Sequence, residues 1–513
     1  MGRVWRYLSG LVYLGTLLPL GNPRILVKCS ASASFIGLRG AINEAMRFPA
    51  APPDFTPSSV ADFEAIFPHL APTLPDGRYL HWDDLRRRPP PAGLRLEQWW
   101  GAQKMARGGA RVLIPGFLDS DGRPFSYCRL DAIDRATHQL DRRDAVREMV
   151  EAIGDDAVRA EYRIDQLMEE AISSSVLEGA QLTTRARAKA MLRDGREPNA
   201  QGERMVVNNY LAMHRLLELA HGAAAPRERA PRELALDDLL EIHAILGAGA
   251  LDAPSSEGRL RTAADDVRVE DAVTGETWFI PPPASELRKR LAAMLTFANS
   301  ESDRPFLHPL LRAIILHFWL AYLHPFVDGN GRMARALFYW QMLRSRYDFA
   351  QYLSISGPIE RSRKAYYRAF VLTETDDGDL TYFLLHQLSV LERATDDLIR
   401  HLTRRGDQLE QLAQALTEAQ SLNHRQQSVL AHLVRQAGAA VTVRGHASSH
   451  DVTYLTARKD LQVMEERGLL ERLRVGKTDR YLPTERVQKR LMTRFKSRTA
   501  QRDRKRSEKT NRE

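Results

Sequence analysis

His324-Pro325-Phe326-Val327-Asp328-Gly329-Asn330-Gly331-Arg332-Met333-Ala334-Arg335 packs an imidazole, a carboxylate, an amide between two glycines and two guanidinium groups into twelve residues. Upstream, Leu307 to Leu323 reads as a helix whose one proline, Pro309, falls in the first turn. Downstream, Met333 to Leu343 has helical patterning again. The stretch is therefore expected as a loop that opens the second helix. A Gly-Asn-Gly backbone at a helix N-terminus offers N–H groups and the positive end of the helix dipole to an anion.

Each residue type suggests a role. His324 titrates near neutrality and can act as general base for a hydroxyl. Asp328 is a hard oxygen ligand suited to one Mg²⁺ shared with phosphate oxygens. Gly329 and Gly331 let phosphate approach the backbone, Asn330 can donate from its amide, and Arg332 and Arg335 present planar forks. Pro325 is expected to end the first helix and Phe326 to anchor the loop.

This stretch matches the pattern HPFx(D/E)GNGRxxR without departure and so resembles the Fic (Fic/Doc) family signature. The resemblance implies a mostly α fold, a Fic-type helical bundle with a β-hairpin flap. It implies transfer of AMP from ATP to a Ser, Thr or Tyr hydroxyl of a protein. His324 would then be the base, Asp328 the Mg²⁺ ligand, Gly329 to Gly331 the anion hole, and Arg332 and Arg335 the phosphate ligands.

A second constellation lies upstream. Ile164, Leu167, Met168, Ala171, Ile172 and Val176 follow helical spacing, and Ser174-Ser175-Val176-Leu177-Glu178-Gly179 ends the helix. The segment resembles the (S/T)xxxE(G/N) inhibitory motif of Fic proteins, giving an inhibitory helix over about 164–180. A carboxylate in a last turn opposes the helix dipole and gains from an external cation. The resemblance supplies Arg335 as that cation, with Ser174 an inhibitory residue or a support of the helix. A solvated Glu at a helix end is the plainer alternative.

Between the two, Val267-Arg268-Val269 and Thr277-Trp278-Phe279-Ile280 flank Glu270 to Glu276, reading as a hairpin. It resembles the Fic flap that pairs with a target segment, with Val267, Thr277, Trp278 and Phe279 as docking residues; an ordinary surface hairpin competes. His308 and His317 read as packed or capping side chains. Tyr366 and Tyr367 are divided between adenine stacking and the core.

Residues 424 to 485 resemble a winged helix-turn-helix: helices at His424–Arg435, Arg444–Ser449 and Thr453–Arg467, then two strands around Gly476. Thr456, Arg458, Lys459 and Arg480 are its candidate DNA contacts. Protein interaction or dimerisation is the alternative use. Of a net charge of +9, +8 lies in Tyr481–Glu513, so the body is near neutral and residues 486–513 form a basic tail expected to be disordered. Two cysteines, Cys29 and Cys128, lack metal spacing and argue against a disulfide framework. Arg3 and Arg6 before the apolar run Leu8–Leu20 have the shape of a secretory signal, but two plainer readings are preferred: a disordered tail, or an upstream extension before a true start at Met46. The run is too short and too broken by Gly and Pro to span a bilayer.

The expected order is an extension over 1–75, loosely ordered and Pro/Ala-rich at 47–75; an accessory region over 76–155 anchored by His81-Trp82 and Trp99-Trp100; a Fic domain over 156–400; a helical linker over 401–423; the winged helix over 424–485; and the tail. The function expected is a cytoplasmic protein adenylyltransferase using ATP and Mg²⁺. Its partners would be a target protein, DNA and a second copy of the chain, with no membrane. One rival uses the same site to remove AMP, with Glu178 orienting water. Another is a DNA-binding regulator that senses nucleotide.

Overall fold

Tryptophan organises the N-terminal region. Helices α1 (Val60–Ile66), α2 (Trp82–Leu85) and α3 (Leu96–Gly109) bury Ile66, Trp82, Leu85, Trp99 and Trp100 in one cluster, with Phe55 and Leu70 packed against it. The computed structural model describes residues 24–25, 46–142, 156–182, 184–221, 233–270, 277–300, 306–416, 422–435, 440–475 and 478–484. It corrects the expectation of a loose segment at 47–75: Ser59 caps α1, and Ile66 and Leu74 are buried. The Pro/Ala-rich composition hides a few large apolar side chains, and burying them against α3 is favourable.

A hairpin follows, β1 (Arg111–Leu118) against β2 (Pro124–Cys128), and then α4 (Asp131–Asp141). Phe117 of β1 lies between two rings, Phe125 at 4.0 Å and Trp319 at 4.3 Å. Such stacked pairs add to the gain from simple burial. Cys128 is buried.

The helical body comprises α5 (Asp156–Leu177), α6 (Arg185–Asp194), α7 (Gln201–His221), α8 (Leu236–Gly247), α9 (Leu287–Asn299), α10 (Pro309–Leu323), α11 (Asn330–Arg344), α12 (Ser356–Arg361), α13 (Arg363–Thr375) and α14 (Thr381–Leu416). Two of these are buried on every side. Every residue of α10 from Leu310 to Leu323 except Ala321 is buried, as is every residue of α11 except Gly331. The two pack on each other, and α5, α7, α8, α9 and α14 surround them. The motif joins these central helices, so its polar side chains start in the core. α14 runs unbroken past residue 400, where the sequence suggested a change from domain to linker.

The C-terminal module has helices α15 (His424–Arg435), α16 (Val443–His450) and α17 (Tyr454–Glu466), with strands β3 (Val441–Thr442), β4 (Leu470–Val475) and β5 (Thr478–Pro483). The sheet is antiparallel in the order β3-β5-β4. Val429, Leu430, Leu433, Leu461, Met464 and Tyr481 form its core. Asp460 of α17 is tied to α15 by Arg425, 2.6 Å away. One side of the module is occupied: α15 and α16 pack on α5, and α16 also packs on α6. A Cβ at Gly445 would stand 3.6 Å from the Arg193 carbonyl, so helix and helix end meet closely there.

A smaller unit comprises residues 1–48 and 267–280. Within it Arg24–Ile25 pairs with Met46–Arg47, and Val269–Glu270 pairs with Thr277–Phe279. The Leu8–Leu20 run, Cys29, the 271–276 turn and the 486–513 tail lie outside the described residues. Among the described residues no helix is long and apolar enough to cross a membrane.

Candidate active site

His324 ends α10 in the left-handed conformation, with φ 47° and ψ 56°. A β-carbon makes this region unfavourable by about 1–2 kcal/mol, so surrounding contacts must hold it. Helix termination is thus done by His324 itself, one residue before the proline expected to do it. Its Nδ1 donates to the Ala321 carbonyl at 3.3 Å. The neutral ring then has its lone pair on Nε2, the nitrogen that can accept a proton. Burial lowers the His324 pKa to about 4, and the nearby Arg261 charge pushes the same way. The ring is therefore unprotonated at neutral pH.

The loop after His324 is closed by Asn330. Its Oδ1 accepts from the Phe326 N–H and its Nδ2 donates to the Phe326 carbonyl, both at 2.9 Å. The Asn330 side chain thus serves the loop, and what it offers an anion is the main-chain N–H at the start of α11. Gly329 is the N-cap of α11 at φ 81°, a conformation open to glycine without strain. Asp328 Oδ1 accepts from the Gly329 N–H at 2.6 Å, and its side chain remains 44% exposed. That exposure leaves carboxylate oxygen for a cation. Among the described residues no three His, Cys, Asp or Glu side chains cluster as a metal site. One carboxylate fits Mg²⁺ that takes its other ligands from phosphate and water.

The two arginines differ. Arg332 is 1% exposed and donates through Nη1 to the Leu246 carbonyl at 3.1 Å. Its Nε and Nη2 make no hydrogen bond, and Nη2 stands 3.6 Å from Asp328 Oδ2. Buried donors without acceptors are costly, so this fork is poised for an anionic oxygen. Arg335 is fully engaged. Nε donates to Ser174 Oγ at 2.9 Å, and Nη2 donates to the Ser174 carbonyl at 3.1 Å and to Glu178 Oε1 at 2.8 Å. Burial works against the Arg335 charge, but the Glu178 carboxylate holds its pKa above the usual arginine value. Ser174 and Glu178 come from the last turn of α5 and the residue after it. A Cβ at Gly331 would collide with the Glu178 carboxylate, so that side chain lies directly over the first turn of α11.

Two residues of this site carried no signal in the sequence. His243, wholly buried on α8, accepts from the Gly258 N–H at Nδ1 (3.1 Å), so Nε2 carries the proton it donates to the Asp328 carbonyl at 2.9 Å. Its ring stacks on Phe326 at 3.8 Å, and burial lowers its pKa to about 4. Arg261 donates to the His324 carbonyl. Both are polar side chains in otherwise ordinary segments, and only the fold brings them to the loop.

The remaining candidates are placed as follows. His308 caps α10 by accepting from the Leu310 N–H at 3.3 Å, and His317 is buried with Nε2 2.9 Å from the Tyr366 hydroxyl. Tyr366 is therefore a core residue. In the hairpin Val267 is buried, Thr277 and Phe279 are half-buried, and the Trp278 side chain lies outside the described residues. Arg458, Lys459 and Arg480 are exposed, and the Thr456 N–H donates to Thr453 Oγ1.

Residues 233–342 match the Fic/DOC family. A protein adenylyltransferase Fic from Nematostella vectensis is 30% identical over 174 residues, covering 33% of this chain and 35% of that protein. Protein adenylyltransferase fic-1 from Caenorhabditis elegans is 32% identical over 153 residues, covering 30% of this chain and 26% of that one. The chain thus spans about a third of the length of the curated relatives it matches. A solved Fic family protein from Desulfovibrio desulfuricans is 22% identical with a TM-score of 0.40, covering 70% of this chain and 98% of that one. The segment that matches the Fic/DOC family contains the whole loop from His324 to Arg335.

Proposed function

We propose that this chain is a protein adenylyltransferase held in check by Glu178. The observation that carries the reading is Arg332, a buried guanidinium in the first turn of α11 whose Nε and Nη2 make no hydrogen bond. A polyphosphate seated there would meet the Arg332 fork and the main-chain N–H groups of Asn330 and Gly331, that of Gly329 being given to Asp328. Asp328 would hold Mg²⁺, which when bound neutralises phosphate charge. A Ser, Thr or Tyr oxygen attacks the α-phosphorus, the bond to the β-phosphate oxygen breaks, and pyrophosphate leaves. His324 Nε2 takes the hydroxyl proton.

Glu178 restrains this reaction by keeping Arg335 from the terminal phosphate. The 267–280 hairpin is the docking element for the target segment. The second reading, removal of AMP, is favoured by the position of the Glu178 carboxylate over Gly331, where it could orient a water. The C-terminal module has the helix and strand order of a winged helix, and exposed Arg458, Lys459 and Arg480 support DNA as its partner. The adenylyl-transfer reading is tested by incubating the Glu178→Gly variant with a cell lysate and ATP labelled at either the α- or the γ-phosphate. Protein labelled from α but not from γ is expected, with none from a variant that also carries His324→Ala. Labelling from γ would make the chain a phosphotransferase and overturn the reading.

A further inference from the structure

We propose that Arg261 is a positioning residue for the reaction, whose guanidinium holds His324 in the left-handed conformation from which it acts. The inference rests on the adenylyl-transfer reading. Three hydrogen bonds support it directly. Arg261 Nε donates to the His324 carbonyl at 2.7 Å, Nη2 donates to the Leu323 carbonyl at 3.2 Å, and the Arg261 main-chain N–H donates to the Pro325 carbonyl at 2.9 Å. A fourth, from Nη2 to the Pro282 carbonyl at 2.6 Å, anchors the fork itself. Three successive carbonyls around the base thus accept from one residue, those of Leu323 and His324 from its side chain and that of Pro325 from its main chain, and Arg261 is 7% exposed.

The last carbonyls of a helix lack intrahelical partners, and a cation there also meets the negative end of the helix dipole. Here that general effect falls on a strained residue. His324 at φ 47° must leave the helix for its ring to face the loop rather than continue α10. Without the fork, the Leu323 and His324 carbonyls lose a buried charged donor, and the peptide planes that orient the imidazole are free to turn. Arg261 does not itself serve as a phosphate ligand, because its Nε and Nη2 donors are directed at these carbonyls. It acts through the base. Phosphate contacts come from Gly329 to Arg335, so loss of Arg261 should affect turnover and leave nucleotide affinity alone.

The test uses the full chain in the Glu178→Gly background, comparing Arg261 with Arg261→Met and Arg261→Lys. Methionine keeps the apolar stem and removes every side-chain donor, leaving the main-chain bond to Pro325; lysine returns the charge and one directed donor. For Arg261→Met, kcat should fall by about 10²-fold, the scale of a small misplacement of a reacting group, with KM for ATP within about twofold of the parent. Arg261→Lys should recover part of kcat. Unchanged kcat in Arg261→Met overturns the proposal, and so does a rise in KM for ATP as large as the fall in kcat. If Arg261→Met does not fold, Arg261→Lys decides: a lower kcat at unchanged KM supports the proposal, and a parental kcat overturns it.

An inactive Glu178→Gly parent would be a failure of the adenylyl-transfer reading instead. Positioning is then read from the ¹⁵N signals of His324 in the folded proteins. Loss of the Nδ1–H signature in Arg261→Lys, at unchanged ATP affinity, supports it. Signals identical to the parent overturn it.

Discussion

His324 shows how little of a catalytic residue's behaviour is set by its type. A histidine near its ordinary pKa of about 6.5 would be largely neutral at pH 7 and protonated at pH 5. Burial moves that change to about 4. A base with a lowered pKa keeps its neutral form as pH falls and loses it only on passing the lowered value. The acid limb of kcat/KM for Glu178→Gly should accordingly lie near pH 4, and a limb near 6.5 in a pH–rate profile would contradict the buried, neutral ring. His324→Ala should lose ~10²–10⁴-fold in turnover while calorimetry still detects ATP binding, since phosphate contacts come from other residues. Comparable turnover by His324→Ala on a defined target would remove the residue from the role of base. The sequence made the histidine conspicuous. It could not show the left-handed backbone or the Ala321 contact that selects the tautomer, because both depend on where α10 ends in three dimensions.

At the scale of elements, the end of α5 meets α11 through two hydrogen bonds from Arg335 to Ser174 and an ion pair with Glu178. The Glu178–Arg335 distance is 2.8 Å, and the arginine side chain is 2% exposed against 17% for the glutamate. Removing one partner of such a pair leaves the other charge buried. In Glu178→Gly the Ser174 contacts remain, and a phosphate can replace the missing carboxylate. AMP incorporation should therefore rise, and adding Arg335→Ala should cancel the rise. Equal incorporation by wild type and Glu178→Gly at one ATP concentration would show that the pair does not restrain transfer. The elements themselves were largely readable. Apolar-rich helical patterning marked α10 and α11, and the glycine after Glu178 marked the end of α5. Trp82 and Trp99-Trp100 were readable as anchors; what was not readable was α1, whose Ile66 joins their cluster from far away in sequence. Arg261 and His243 were missed for the same reason. A lone arginine after α8 and a lone histidine on it become meaningful only when the loop is folded against them.

For the whole molecule, charge and packing divide the C-terminal module into two sides. Arg458, Lys459 and Arg480 face solvent, while α15 and α16 are spent on α5. If the exposed side binds duplex DNA through phosphates, the logarithm of affinity should fall linearly with the logarithm of salt, by about 0.9 per phosphate neutralised. Ending the chain at Leu422 should abolish that binding, and undiminished affinity of the shortened chain would exclude the module as its source. The contact of α16 with α5 has a further consequence. α5 is the helix that leads to Ser174 and Glu178, so the module rests on the same rod whose far end holds Arg335. If docking of the module and the hold of Glu178 on Arg335 are coupled through α5, reciprocity follows: a ligand that prefers the undocked module and ATP seated on a freed Arg335 would raise each other's affinity by the same factor. Such a chain would report the occupancy of one site as the affinity of the other.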